Sequence, residues 1–199
     1  PSISADGSTI YFMRTVKSPY PGKFCYQLFS SEKDNRGQWK LAQPLPYPVS
    51  QGCENCPRIM SDNETLIFAA IREPSDNYEI YQSRNLGNGK WSDPVAYDFI
   101  NTPSDDKYGT IPSSGDIMYL NRDFGNGHDI YSISIPLELR PRKVVNIQGV
   151  LKDCSTDKPI EARIAIFENG KSMGTSGLKS NAFDGNFTVV LKTGASYEI

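Results

Sequence analysis

Histidine is nearly absent from this chain of 199 residues: His128 stands alone, beside four cysteines, Cys25, Cys53, Cys56 and Cys154. Metal centres and nucleophile–imidazole pairs therefore have little to draw on. No apolar run approaches the roughly 18 residues of a membrane-spanning helix. There is no phosphate-cradling Gly loop and no G-x-S-x-G nucleophile motif. No stretch repeats its apolar residues at 3.6 spacing, so no helix is expected. Cationic excess is missing too. The formal net charge is −2, with Lys and Arg spread along the chain. That argues against nucleic acid, whose phosphates need a concentrated basic face. No initiator Met and no signal-like segment opens the chain, and Ser196 to Ile199 reads as the middle of a strand. A fragment or a processed chain is expected.

What is present is a repeat. Pro57 to Phe68 reads as a strand, a tight polar turn at Asp62-Asn63 and a second strand, Leu66-Ile67-Phe68. The same pattern occurs 56 residues earlier in Pro1 to Phe12, with Asp6-Gly7 at the turn, and more loosely 52 residues later in Gly109 to Leu120. A third strand with an aromatic follows each hairpin: Gln27-Leu28-Phe29, Glu79-Ile80-Tyr81 and Asp129-Ile130-Tyr131. Two units add a Trp element, Gly37-Gln38-Trp39 and Gly89-Lys90-Trp91, 52 residues apart. Each of these leads into a Pro-bearing polar stretch. Short strands with period-2 patterning in units of about 50 residues describe blades of a β-propeller, in which one unit cannot bury its own faces. Three blades are visible over residues 1–135. The third lacks its Trp strand, and upstream blades are expected. Residues 136–142 read as a Pro- and Arg-bearing linker. Residues 143–199 read as a small antiparallel β-sandwich, truncated, with strands at 145–151, 162–167 and 184–191 and a last one at 197–199. The fold class is thus all-β: a partial propeller, then a sandwich.

The candidate chemistry is sparse. Cys53 and Cys56 form a single C-x-x-C, open to three readings: half of a zinc site, a redox motif, or a local structural disulfide. The other half of a zinc site is absent, and a strand rather than a helix follows. A local disulfide between Cys53 and Cys56 is the favoured reading, with free thiols as the remaining alternative, since cysteine spacing alone rarely decides. Asp6 and Asp62 could be taken for sialidase Asp-boxes, but the spacing is wrong, and side chains bonding to their own turn backbone are expected. Asp123 to Asp129, with Gly125 and Gly127, could be taken for a calcium loop; the acidic residues miss the alternating ligand positions, and a Gly-rich hairpin turn is expected instead. Trp39 and Trp91 could stack on sugars, but their equivalent positions predict packing between sheets. His128 is expected in the turn before Asp129, and Asp105-Asp106 in a solvated loop. No catalytic residue, cofactor or metal ligand is assigned. The residues singled out as the structural repeat are Asp6, Gly7, Asp62, Trp39, Trp91, Gly127, Asp129 and Tyr131.

Residues 4–12, 61–68, 89–94, 100–106 and 126–131 together resemble TolB-like propeller repeats of Bacteroidetes-type envelope proteins. Gly149 to Asp153, Lys158 to Ala162, Asp184 to Phe187 and Thr193 to Tyr197 resemble a carboxypeptidase regulatory-like (transthyretin-like) domain. That order is similar to the middle of OmpA-family envelope proteins, including an outer-membrane-associated component of type IX secretion. The C-x-x-C, and Ser114 in place of a turn Asp, depart from the pattern. The resemblance implies a non-catalytic periplasmic scaffold, associated with the outer membrane, whose propeller binds envelope or secretion-system proteins. It implies peptidoglycan contact only through a domain absent here. No nucleic acid and no direct membrane span are implied. The alternatives are a glycan-binding module or an accessory part of a hydrolase.

Overall fold

The computed structural model describes residues 1–34, 37–123, 127–173 and 178–199. It is all-β with antiparallel sheets, none closed into a barrel. Among the described residues the only helical element is a 3-10 turn, Leu137–Leu139. None is long and apolar enough to cross a membrane as a helix.

The first unit consists of β1 (Ser2–Ile3), β2 (Thr9–Val16), β3 (Cys25–Glu32) and β4 (Gln43–Pro44). The second consists of β5 (Glu54–Ile59), β6 (Thr65–Ala70), β7 (Glu79–Gly87), the short β8 (Lys90–Trp91) and β9 (Val95–Ala96). Within each, neighbouring strands run antiparallel, and a single bridge, Tyr26 to Glu54, joins the two. The third unit has β10 (Ile117–Asp123) and β11 (His128–Ser134), with an inner strand reduced to the bridge Thr110–Tyr119. The registers repeat: Phe12 lies opposite Phe29, Phe68 opposite Tyr81 and Leu120 opposite Tyr131.

The first turns are alike for a local reason. Gly7, Asn63 and Gly115 all take positive φ (68°, 58° and 73°) at the same place, each donating its N–H to the carbonyl three residues back. Asn is among the few side chains that tolerate this region without Gly's freedom. Asp6 accepts from Ser8 N and Oγ at 3.0 and 2.9 Å; Asp62 accepts from Glu64 N, Thr65 N and Thr65 Oγ1 at 3.0, 2.8 and 2.7 Å. The aspartates hold their own turns, as their sequence context predicts.

The outer strands differ from expectation. The Trp elements are not the fourth strands. These lie a few residues later, at β4 on β3 and β9 on β7. Trp39 makes only an isolated bridge to Lys33, and Lys90–Trp91 extends β7 beyond a register shift. The two tryptophans are also not equivalent in burial. Trp91 is 8% exposed and meets Tyr11 edge to face at 6.1 Å, whereas Trp39 is 45% exposed under Lys33 Nζ. The reason is position in the stack: Trp91 has the first unit to pack on, and no described residues occupy the corresponding place over Trp39.

The core lies between units. Ile59, Leu66, Phe68, Tyr81 and Trp91 of the second unit meet Tyr11, Leu28, Leu45 and Val49 of the first. On the opposite face, Ile67, Ile80, Tyr97 and Ile100 meet Ile111, Met118 and Leu120 of the third. Because alternate side chains point to opposite faces, a run such as Leu66-Ile67-Phe68 is buried throughout only if both faces are covered.

After the 3-10 turn come β12 (Val144–Val150), β13 (Phe167–Glu168), β14 (Lys171–Ser172), β15 (Asn186–Lys192) and β16 (Tyr197–Glu198). They form a two-stranded sheet, β12–β15, and a three-stranded sheet, β14–β13–β16. The strand expected over residues 162–167 is not formed as such: Arg163 makes one bridge to Lys179 and pairing resumes at Phe167. Gly149 lies under the Phe187 ring, where a Cβ would stand 2.3 Å from the ring edge. This part is tied to the second unit at its Asp62–Glu64 turn. Asp62 accepts from Arg142 N at 3.0 Å, and Glu64 pairs with Arg142 and with Lys192.

Truncating the two tryptophans separates their roles. Trp91→Ala is expected to cost about 3–5 kcal/mol and Trp39→Ala about 0.5 kcal/mol or less, read from urea unfolding. Equal costs would contradict the assigned packing.

Candidate functional site

Two kinds of segment meet at one end of the units: the β2–β3 and β6–β7 loops and the linkers over residues 45–53 and 97–109. Tyr78 donates its hydroxyl to Phe24 O, and Asn77 Nδ2 donates to Pro103 O at 2.8 Å. Between the second linker and the β10–β11 hairpin lies a cleft of about 760 Å³, lined by Thr102, Ser104 to Tyr108, Asn121, Arg122 and His128.

Two linkers are built alike, 52 residues apart. In the first, Glu54 is buried and accepts from Ser50 Oγ at 3.0 Å and from the N–H groups of Gln51 and Gly52. In the second, Asp106 is buried and accepts from Thr102 Oγ1 at 2.9 Å and from Thr102 N. A guanidinium closes each: Arg72 donates to Pro48 O and Val49 O, at 3.0 and 2.7 Å, and Arg122 donates to Ile100 O and, at 3.0 Å, to Asp106. Burial pushes the Glu54 carboxyl up, opposed by those hydrogen bonds and by Arg72. The buried carboxylate fixes the path by which the chain passes from one unit to the next.

The adjacent position differs between the linkers. In the first, Cys53 is bonded to Cys25, with Cα atoms 4.4 Å apart. The expected Cys53–Cys56 bridge is not formed. Three residues of extended chain span about 10 Å, beyond the roughly 7 Å a disulfide reaches, whereas the start of β3 runs beside Cys53. In the second linker, the corresponding Asp105 accepts from Tyr78 N at 3.0 Å and pairs with Lys23 at 2.6 Å and Lys107 at 3.2 Å. Burial raises its pKa, but the Lys23, Tyr78 and Lys107 hydrogen bonds outweigh this and hold it at about 2. Asp106 is thus buried, unlike the solvated loop its sequence suggests, whereas Asp105 keeps its exposure while ion-paired.

Cys56 and Tyr108, again 52 residues apart, are both left-handed, with φ of 50° and 64°. Non-Gly residues held there cost about 1–2 kcal/mol each. They lie side by side. Cys56 donates its thiol to Asn55 Oδ1 at 3.1 Å, and burial pushes that thiol up against the influence of Lys107, Tyr108 and Arg58. A protonated thiol is a poor nucleophile and a poor metal ligand. Cys154 is free and exposed. Among the described residues no three His, Cys, Asp or Glu side chains gather as a metal site.

His128 opens β11 opposite Asp123, so it belongs to a strand rather than to the preceding turn. It stands at the rim of the cleft. Asp129 pairs with Arg122 along the same ladder, and Gly127 takes a φ of 107° just before it; Gly125 lies outside the described residues. Asp6, Gly7, Asp62, Trp39, Trp91 and Tyr131 do not line the cleft. Sequence reasoning missed Cys56–Tyr108 and the two carboxylates. The signal was the 52-residue spacing, visible only once the linkers are aligned as part of the repeat.

No family profile, curated protein or solved structure matches this chain.

Two experiments probe this region. After native alkylation, Cys154 is expected to react first and Cys56 slowly, faster as pH rises; proteolysis without reduction should link the peptides of Cys25 and Cys53. Rapid neutral-pH labelling of Cys56 would contradict the buried thiol. The depressed Asp105 carboxylate stabilises the fold above its ordinary unfolded value of about 3.9, and that contribution is lost as pH falls toward about 2. Asp105→Asn should therefore lower the urea midpoint at neutral pH, and the two proteins should converge over that window.

Proposed function

We propose that this chain is a non-catalytic scaffold of the bacterial periplasm, in which the three stacked units are blades of a partial β-propeller. The propeller binds a protein partner, and a transthyretin-like module over residues 143–199 links it to an outer-membrane or peptidoglycan-associated complex such as type IX secretion. The observation that carries the reading is the make-up of the cleft. Its carboxylates are taken up by internal partners, Asp105 by Lys23 and Lys107 and Asp106 by Arg122. Its neighbouring thiol is held protonated. Tyr108 on its wall is 66% exposed, and outside the cleft Phe24 and Tyr47 are exposed on the β2–β3 loop and the first linker. Exposed aromatic side chains on a rigid base suit recognition of a polypeptide. The Cys25–Cys53 disulfide supports an oxidising compartment. The repeated registers and two-faced cores support the propeller reading.

The test removes the ring without adding strain. Gly adopts positive φ freely, so Tyr108→Gly should leave stability unchanged or slightly raised. With tagged wild type in crosslinked envelopes, mass spectrometry is expected to recover outer-membrane or secretion proteins, and Tyr108→Gly is expected to lose them. Recovery indifferent to Tyr108, or turnover of a glycan or peptide by the purified chain, would replace this reading with the glycan-binding or hydrolase one.

A further inference from the structure

The linker over residues 136–142 and the module over residues 143–199 are held to the units in different ways. The linker is closely seated. Leu139 packs against the apolar cluster shared by the second and third units. Pro141 is buried, its carbonyl 3.3 Å from where a Cβ on Gly115 would stand. The Arg140 guanidinium donates to Ile135 O at 2.8 Å, the Arg140 carbonyl accepts from Arg84 at 2.9 Å, and Arg142 N donates to Asp62 at 3.0 Å. The chain then leaves through Lys143, which is exposed and whose carbonyl already belongs to the module, accepting from Thr193 N at 3.0 Å. Beyond that point the hold is charged. Lys192 of β15 reaches back to Glu64, and the same carboxylate takes the Arg142 guanidinium at 3.4 Å. The apolar clusters of the described residues draw their members from residues 11–139; Ile164, Val189 and Leu191, buried in the module, are in none of them. Between the end of the linker and the module's loops, around Arg142, Lys143, Asn169 and Gly194, lies a cavity of about 430 Å³.

We propose that Glu64 is a latch. It holds the module against the second unit through Lys192, and when its ion pairs are screened the module swings about Arg142–Lys143 while both parts stay folded. The side chains of Glu64 and Lys192 are each 26% exposed, so salt reaches the pair. The cores between the units are apolar and are not loosened by screening. Arg142 N to Asp62 is a bond on the fixed side of the pivot, so it survives the opening. The joint thus answers to ionic strength below any unfolding of the units. This inference uses neither the propeller reading nor partner capture through Tyr108, and each fails separately.

The test measures a distance across the joint by pulsed electron paramagnetic resonance. Spin labels sit on exposed Cys154 of the module and on Lys90→Cys, an exposed position of the second unit, in a Cys56→Ser background. In low salt the labelled chain is expected to give one narrow distance. In about 1 M salt, where the screening length is about 3 Å, that population should fall several-fold in favour of a broad set. Glu64→Gln should give the broad set already in low salt, with its urea midpoint unchanged. Glu64→Lys combined with Lys192→Glu should recover the narrow distance that either change alone loses. A distance that neither salt nor Glu64→Gln alters overturns the proposal, and so does a broad set in low salt before any change at Glu64. Broadening by salt but not by Glu64→Gln places the hold elsewhere and also overturns it. A lowered midpoint in Glu64→Gln makes Glu64 part of the fold rather than a latch, and a swap that stays broad overturns the pairing with Lys192.

Discussion

A sheet that is apolar on one side needs one cover, but the sheet over residues 54–96 is apolar on both sides and has two. Leu66, Phe68 and Tyr81 are covered by the first unit, and Ile67, Ile80 and Tyr97 by the third. The rest of the structure follows from this constraint. Cores form between units rather than within them, so stability is shared between nearest neighbours and a lone unit would expose half its apolar surface. The same constraint explains why one tryptophan is a core residue and its repeat-mate is not. Trp39 and Trp91 share a local setting and differ only in whether a neighbour lies alongside.

Stacked faces slide unless something fixes their relative position, and the linkers do so at one end. The two linkers share a buried carboxylate, a hydroxyl four residues before it and an arginine from the following unit. They differ at the next position, where one uses a covalent bond and the other a charged cluster. A disulfide closing a 28-residue separation is worth about 3–4 kcal/mol by loop entropy. The Asp105 cluster is partly open to solvent, so screening reduces its contribution. The first interface is thus covalently pinned at this position. The second is held by ionisable groups, and it is beside the second that the cleft opens.

What the sequence made legible tracks the range of the interactions. The turns at Asp6 and Asp62 were legible because their bonds run two or three residues along the chain. The aromatic pairs were legible because strand periodicity and the repeat put them in register. The partner of Cys53 was not, because choosing Cys25 over Cys56 requires knowing that the start of β3 lies beside the segment before β5. Asp105 and Asp106 read as a polar loop because Lys23 and Arg122, their partners, come from other segments. Residues 162–167 look like a strand by alternation, yet before Phe167 only Arg163 finds a bridge; period-2 patterning marks a capacity to pair, and a neighbouring strand decides whether it is used.

The second turn does double service. Asp62 satisfies its own turn and also accepts from the backbone of Arg142, while Glu64 pairs with both Arg142 and Lys192. Two neighbouring side chains of one turn thus seat both the linker and β15. The matching turn of the first unit has Ser8 where the second has Glu64, and that of the third has Asp116 without Asp62's counterpart, since Ser114 stands there. The sequence departure at Ser114 therefore has a structural reading. Of the three turns, the second is the one that carries both the aspartate and the glutamate, and it is the one the following module is tied to.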